Sequence, residues 1–115
     1  MSYFKKEEFA CKCCGENKID DSLIAKLEVA RGLAHTPFVI TSGYRCEKHN
    51  KRVGGKANSS HLRGLAVDIL AQDSVARFKI MKALLDAGFK RVGFADTFIH
   101  VDVDSSLAQE VMWKY

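Results

Sequence analysis

The sequence predicts an α+β domain in which a small, mostly antiparallel sheet carries helices on one face. Two apolar series recur at helical spacing: Leu23, Ile24, Leu27, Val29 and Ala30, and then Val75, Phe78, Ile80, Met81, Leu84 and Leu85. Short runs rich in β-branched and aromatic residues lie between and after them, and several alternate in polarity. At 115 residues and 47% hydrophobic content the chain can bury one modest core, so residues 1–115 read as a single domain.

Each element has its own signals. After a cysteine-rich start, Asp20 or Asp21 offers an N-cap for the first helix, which Gly32 weakens. Pro37, the only proline, opens Phe38-Val39-Ile40-Thr41, a strand predicted to end at Ser42-Gly43. Residues 50–60 carry Gly, Asn and Ser without an apolar period, which predicts an irregular loop leading into His61. In the strand Leu65–Leu70, Asp68 shares a face with Ala66 and Leu70, while Val67 and Ile69 point the other way. Ser74 is placed to cap the second helix, and Gly88 to stop it. The runs Arg91–Phe94 and Phe98–Asp104 read as strands joined by Ala95-Asp96-Thr97. Alternation in the second sends Ile99, Val101 and Val103 to the core and His100, Asp102 and Asp104 to the opposite face.

Charge and composition exclude some classes of function. The net charge of +4 is mildly basic, but only Lys48, Lys51, Arg52, Lys56 and Arg63 gather, and no aromatic residues interleave with them to stack bases. Nucleic acid is therefore not the expected partner. The opening residues Met1–Glu8 reach charge at once and lack the apolar stretch of a secretory signal or membrane span. The expectation is a soluble monomer, cytoplasmic as synthesised, that reaches any substrate outside the membrane only after release, for example through a lysis-time pore.

His61 and Asp68 are seven residues apart across Gly64, and His100 lies on a later strand. Two imidazoles and a carboxylate are suitable zinc ligands. Three protein ligands leave one position open for water and lower its pKa toward ~7, which is the chemistry of a zinc hydrolase. Asp102, on the same face as His100, is positioned to orient an imidazole.

The motifs Ser42-Gly43-Tyr44-Arg45, His49-Asn50, Val53-Gly54-Gly55, Ser60-His61-x-x-Gly64-x-Ala66-x-Asp68 and His100-x-Asp102 resemble those of the M15 zinc peptidases. This group holds D-alanyl-D-alanine carboxypeptidases and peptidoglycan endopeptidases with the hedgehog/DD-peptidase fold. The likeness runs from about Phe4 to Trp113 and is nearest to the small single-domain phage and bacterial members. It implies that His61, Asp68 and His100 bind zinc and that Arg45 stabilises the developing oxyanion, a task suited to a permanently charged fork of donors. It also implies that Ser60 contacts substrate or holds the His61 loop, and that His49 and Asn50 brace a loop. The implied activity is hydrolysis of peptide bonds in peptidoglycan stem peptides; the rival is a zinc-bearing cell-wall binding module with little or no turnover. One departure from the pattern motivates that rival. The general base of the family stands three residues before the second histidine, where this sequence has Thr97, which cannot take a proton at neutral pH. Asp96 is the nearest replacement if the Ala95-Asp96-Thr97 link bulges.

Four cysteines in a chain without a signal sequence argue against an obligatory disulfide framework. Cys11-Lys12-Cys13-Cys14-Gly15 contains a Cys-x-x-Cys-Gly knuckle, to which Cys46 is the natural counterpart. Three options stay open: a second, structural zinc on Cys11, Cys14 and Cys46, a metal-free contact of Cys11 or Cys14 with Cys46, or ordinary burial.

Overall fold

The computed structural model describes residues 2–115. The helices are α1 (Asp21–Ala34), α2 (Glu47–Arg52) and α3 (Ser74–Asp86). The strands are β1 (Ile40–Ser42), β2 (Ala66–Leu70), β3 (Arg91–Phe94), β4 (Phe98–Asp102) and β5 (Val111–Lys114), with 3-10 turns at Lys6–Phe9 and Ser60–Arg63. The architecture is α+β, with one five-stranded sheet in the order β1-β2-β4-β3-β5.

The sheet is mixed, which departs from the mostly antiparallel sheet expected. β1–β2, β2–β4 and β3–β4 are antiparallel, whereas β3 and β5 run parallel. β5 was not legible as a strand, and its direction follows from geometry. β4 ends beside the start of β3, so residues 103–110 need only pass that end of the sheet before the Val111 N–H bonds the Lys90 carbonyl at 3.1 Å. A parallel neighbour is reached without a crossover helix because the two parallel strands are not consecutive.

Alternation along β2 and β4 divides the molecule into two sides. Val67, Ile69, Ile99 and Val101 are fully buried in the core with Leu23, Leu27 and Ala30 of α1 and Ile80, Ala83 and Leu84 of α3. α1 and α3 also pack against each other. The opposite face of the same strands carries Asp68, His100 and Asp102. Not every apolar residue of the helical series faces inward, since Val29, Val75, Phe78 and Leu85 are exposed.

The helix boundaries depart in small ways from the expected ones. Asp20 caps α1 by accepting the Ser22 N–H, and the helix runs through Gly32 to a left-handed His35. For α3 the cap is Asp73, not Ser74, its carboxylate accepting the Ala76 N–H. Residues 47–52, partly inside the expected loop, form α2, while His61 sits on a 3-10 turn instead of an open loop.

That turn ends at Gly64, which has φ +71° and whose carbonyl accepts the Asp20 N–H at 2.9 Å. A Cβ here would lie 1.9 Å from the Lys18 carbonyl oxygen, so the His61 turn docks on the start of α1 only through glycine. Gly64→Ala is expected to lower stability by about 2–3 kcal/mol in denaturant unfolding. A loss below about 0.5 kcal/mol would contradict this account of the joint.

Candidate metal centre

In the β2–β4 register Asp68 stands opposite His100, and the turn at Ser60–Arg63 brings His61 against both. Asp68 Oδ1 lies 3.0 Å from His100 Nδ1 and 3.3 Å from His61 Nε2. All three ligand atoms fall within 4.8 Å of one another, and all three residues are buried. A tetrahedral ion with N and O ligands at about 2.0–2.1 Å has ligand-to-ligand edges of about 3.3–3.4 Å, close to the spacings here.

The outer nitrogens are already committed. His61 Nδ1 lies 2.8 Å from the Gly43 carbonyl, which can only accept, so Nδ1 carries a proton and Nε2 is the nitrogen left to face a bound ion. His100 Nε2 lies 2.8 Å from Asp102 Oδ2, which likewise leaves Nδ1 as the ligand. A carbonyl behind one histidine and a carboxylate behind the other is the support that metal-binding imidazoles require. The donor set fits a divalent zinc-like ion.

Each buried carboxylate here has a cationic partner, without which its burial would be costly. Asp68 Oδ2 accepts from Arg45 Nη2 at 3.2 Å. Burial alone would raise the Asp68 pKa, but hydrogen bonds from His100 and His61 overcome it and hold the carboxyl far below the usual range. Burial opposes protonation of His100, yet hydrogen bonds to Asp102 and Asp68 raise its pKa when no metal is bound. Arg45 is fixed at three nitrogens: Nε donates to Ser42 Oγ at 2.9 Å, Nη1 to Asn50 Oδ1 at 3.2 Å, and Nη2 to Asp68. Arg91 holds Asp102 through Nε at 2.8 Å, and its guanidinium lies 4.9 Å from the centre of the Trp113 ring.

The cluster lies in a cleft of about 740 Å³ lined by the Val53–Lys56 loop, Arg45, Ser60, Arg91, Phe98, Trp113, Lys114 and Tyr115 among others. The structure assembles Arg45, His61, Asp68, His100 and Asp102, and it gives Ser60 a definite partner. Ser60 Oγ donates to Asp104 Oδ2 at 2.6 Å, which ties the His61 turn to the end of the sheet. Asn50 braces the following loop by donating to the Lys56 carbonyl at 2.8 Å.

His49 and Asp96 stand apart from this group. Neither lines the cleft. His49 is one residue, about 100° of helix rotation, away from the inward-facing Asn50, and its Nδ1 has no hydrogen-bond partner among the described residues. Asp96 is exposed in the β3–β4 turn, with its carbonyl held by Arg77 of α3 at 2.8 Å. The pairs Phe94↔Ile99 and Gly93↔His100 continue in regular register up to that turn, so the bulge that would swing Asp96 inward is not present. Among the described residues lining the cleft, the carboxylates are Asp68 and Asp102.

Arg91, Trp113, Lys114, Tyr115 and Asp104 were not recognised as site residues from sequence. Arg91 was the most accessible of them, because a core-facing Val92 places its two neighbours on the cleft face. Trp113 and Tyr115 share a strand parity, but only the unpredicted β5 brings them to the site.

A donor set of this kind on the open face of an α+β sheet is a candidate centre for a metal-dependent hydrolase. The family model for Peptidase M15 matches residues 2–102, and the chain belongs to that family. The family is one of metal-dependent peptidases, so the chain is a peptidase by class. A search of curated proteins finds no match.

The four cysteines also converge: Cys11, Cys13, Cys14 and Cys46 have their sulfurs within 4.8 Å of one another. Burial opposes ionisation of Cys11, but backbone N–H groups of Cys46, Cys13 and Cys14 outweigh it and bring the thiol down to about 6. Cys13, whose sulfur is 3.4 Å from that of Cys46, is pushed up to about 12, chiefly by that contact.

Burial raises the carboxyl pKa of Asp104, but hydrogen bonds from Ser106 and Ser60, aided by Arg63, bring it below the ordinary value. Its stabilising contribution is therefore complete above the unfolded value of ~3.9 and is lost as pH falls through the lower native value. Asp104→Asn is expected to cost about 1–3 kcal/mol at neutral pH, with the gap from the parent closing below about pH 4. Melting curves across pH check this, and a gap that stays constant into acid would contradict it.

Proposed function

We propose that the chain is a zinc peptidase that hydrolyses a peptide bond in peptidoglycan stem peptides, as a D,D-carboxypeptidase or an endopeptidase. The observation that carries this reading is the convergence of His61 Nε2, Asp68 Oδ1 and His100 Nδ1 at the cleft, with their outer atoms already held by Gly43, Arg45 and Asp102. Zinc bound there supplies a Lewis acid that polarises the scissile carbonyl and activates water at neutral pH.

The chain's own residues do the rest. Arg45 is anchored by Ser42 and Asn50 at the cleft wall, so its free N–H groups are oriented before substrate arrives and can receive charge developing on the carbonyl oxygen. Asp102 keeps the His100 ring in one orientation, and Arg91 keeps Asp102 in place. Lys56 and Lys114 add positive charge to the cleft lining. Together with Arg45 they suit a stem peptide, whose termini and side chains carry carboxylates. Trp113 and Tyr115 offer flat apolar surface beside His100.

A second reading, a wall-binding module with little turnover, is favoured by one observation. Asp96 and Thr97 are both exposed and outside the cleft, and the two cleft carboxylates are tied up in ion pairs. Proton transfer thus lacks an evident free carboxylate.

Incubating zinc-replete protein with defined muropeptides, followed by mass analysis, tests both readings, because the mass lost identifies the bond. Hydrolysis is expected from the parent and none from His61→Ala, with the circular dichroism of the two matching. Unchanged cleavage by His61→Ala would overturn the assignment. If the parent is silent and Thr97→Glu gains activity, the binding-module reading stands instead.

A further inference from the structure

We propose that Cys11, Cys13, Cys14 and Cys46 form a second, closed metal site that takes zinc through four thiolates and fastens the amino-terminal segment to the turn carrying Arg45. The site is separate from the His61–Asp68–His100 cluster and shares no ligand with it.

The geometry suits a tetrahedral ion. Zinc–thiolate bonds of about 2.3 Å require sulfur-to-sulfur edges of about 3.8 Å. Here Cys11 and Cys13 sulfurs are 3.7 Å apart, those of Cys13 and Cys46 are 3.4 Å apart, and all four fall within 4.8 Å. These are non-bonded separations. A single disulfide would join two of the four at about 2.05 Å and leave the others without a role, whereas a central cation uses all of them.

The surroundings favour thiolates. The Cys46 N–H points at Cys11 Sγ and the His49 N–H at Cys46 Sγ, each at 3.4 Å, so backbone donors offset the negative charge that four sulfurs bring to one ion. Soft sulfur ligands select zinc over hard cations such as calcium or magnesium. Binding converts four thiols to thiolates and releases their four protons to solvent, with no change in oxidation state. Four protein ligands leave no open position, so the ion is structural.

Its place in the fold gives the ion a purpose. Residues 9–16 meet the turn carrying Arg45 through the Tyr44 N–H to the Phe9 carbonyl at 2.8 Å and the Cys46 N–H to Cys11 Sγ at 3.4 Å, while the Cys11 N–H closes the segment on itself at the Glu16 carbonyl, 2.8 Å away. At Gly43 a Cβ would lie 2.5 Å from the Phe9 carbonyl oxygen, so the two segments touch backbone to backbone. Cys46 directly follows Arg45, and Gly43 supplies the carbonyl that orients His61. Cross-linking residues 11–14 to Cys46 through an ion therefore holds both supports of the catalytic cluster.

The test uses full-length protein kept reduced, loaded with zinc and freed of excess metal. Elemental analysis is expected to give two zinc ions per chain for the parent, and one each for His61→Ala and for the Cys13→Ser/Cys14→Ser double variant, whose replaced residues are exposed. With cobalt(II) as the probe, the sulfur-to-metal charge-transfer band should persist in His61→Ala and vanish in the double variant. Zinc should also raise the melting temperature of His61→Ala. A parent without the thiolate band, a double variant that retains as much zinc as the parent, or no melting shift would overturn the proposal. So would fewer than four free thiols in protein unfolded without reductant. Because His61→Ala retains this site, its failure is distinguishable from failure of the peptidase reading.

Discussion

The register between β2 and β4 is the constraint on which the rest depends. With Val67 opposite Val101 and Ile69 opposite Ile99, the intervening pair is necessarily Asp68 opposite His100. Burial of the valines and isoleucines against α1 and α3 therefore also fixes the polar pair on the other face. A slip of one residue would send the carboxylate and imidazole into the core and the aliphatic side chains into the cleft. Burying four aliphatic side chains contributes about 1.5–3 kcal/mol each, so the apolar face sets the alignment and the polar face inherits it.

Three aspartates line that inherited face, and each is buried with a positively charged neighbour: Asp68 with Arg45, Asp102 with Arg91, Asp104 with Arg63. The pairs also connect the sheet to the loops that build the cleft. Arg45 comes from the segment after β1, Arg63 from the His61 turn, and Arg91 from the start of β3, with Trp113 of β5 against it. Charge burial thus does structural work as well as chemical work, because removing any one partner leaves an uncompensated ion.

Much of this was legible in the sequence, because periodicity reports which face is buried. Alternation in Phe98–Asp104 separated Ile99 and Val101 from His100 and Asp102 correctly, and the spacing of His61, Asp68 and His100 pointed to one cluster. What stayed hidden depends on tertiary contact. β5 is only four residues long, and its pairing is set by the open edge of β3. Asp96 looked available for the cleft because a bulge was allowed, yet the hairpin keeps regular pairing and turns that residue toward solvent. The Cys-x-x-Cys spacing suggested Cys11 and Cys14 as a pair with Cys46. Cys13, separated from Cys11 by one residue, joins them because the turn through residues 11–15 folds it back, a detail of local backbone that spacing does not encode.

The central claim is that the fold fixes which nitrogen of each histidine is left to face a bound ion. Long-range proton–nitrogen NMR of the zinc-loaded protein with labelled histidines reads this directly. The account predicts a proton on Nδ1 of His61, held by Gly43, and on Nε2 of His100, held by Asp102, with the metal on the other nitrogen of each ring. The opposite tautomer at either residue, or imidazole signals that do not respond to zinc, would contradict it.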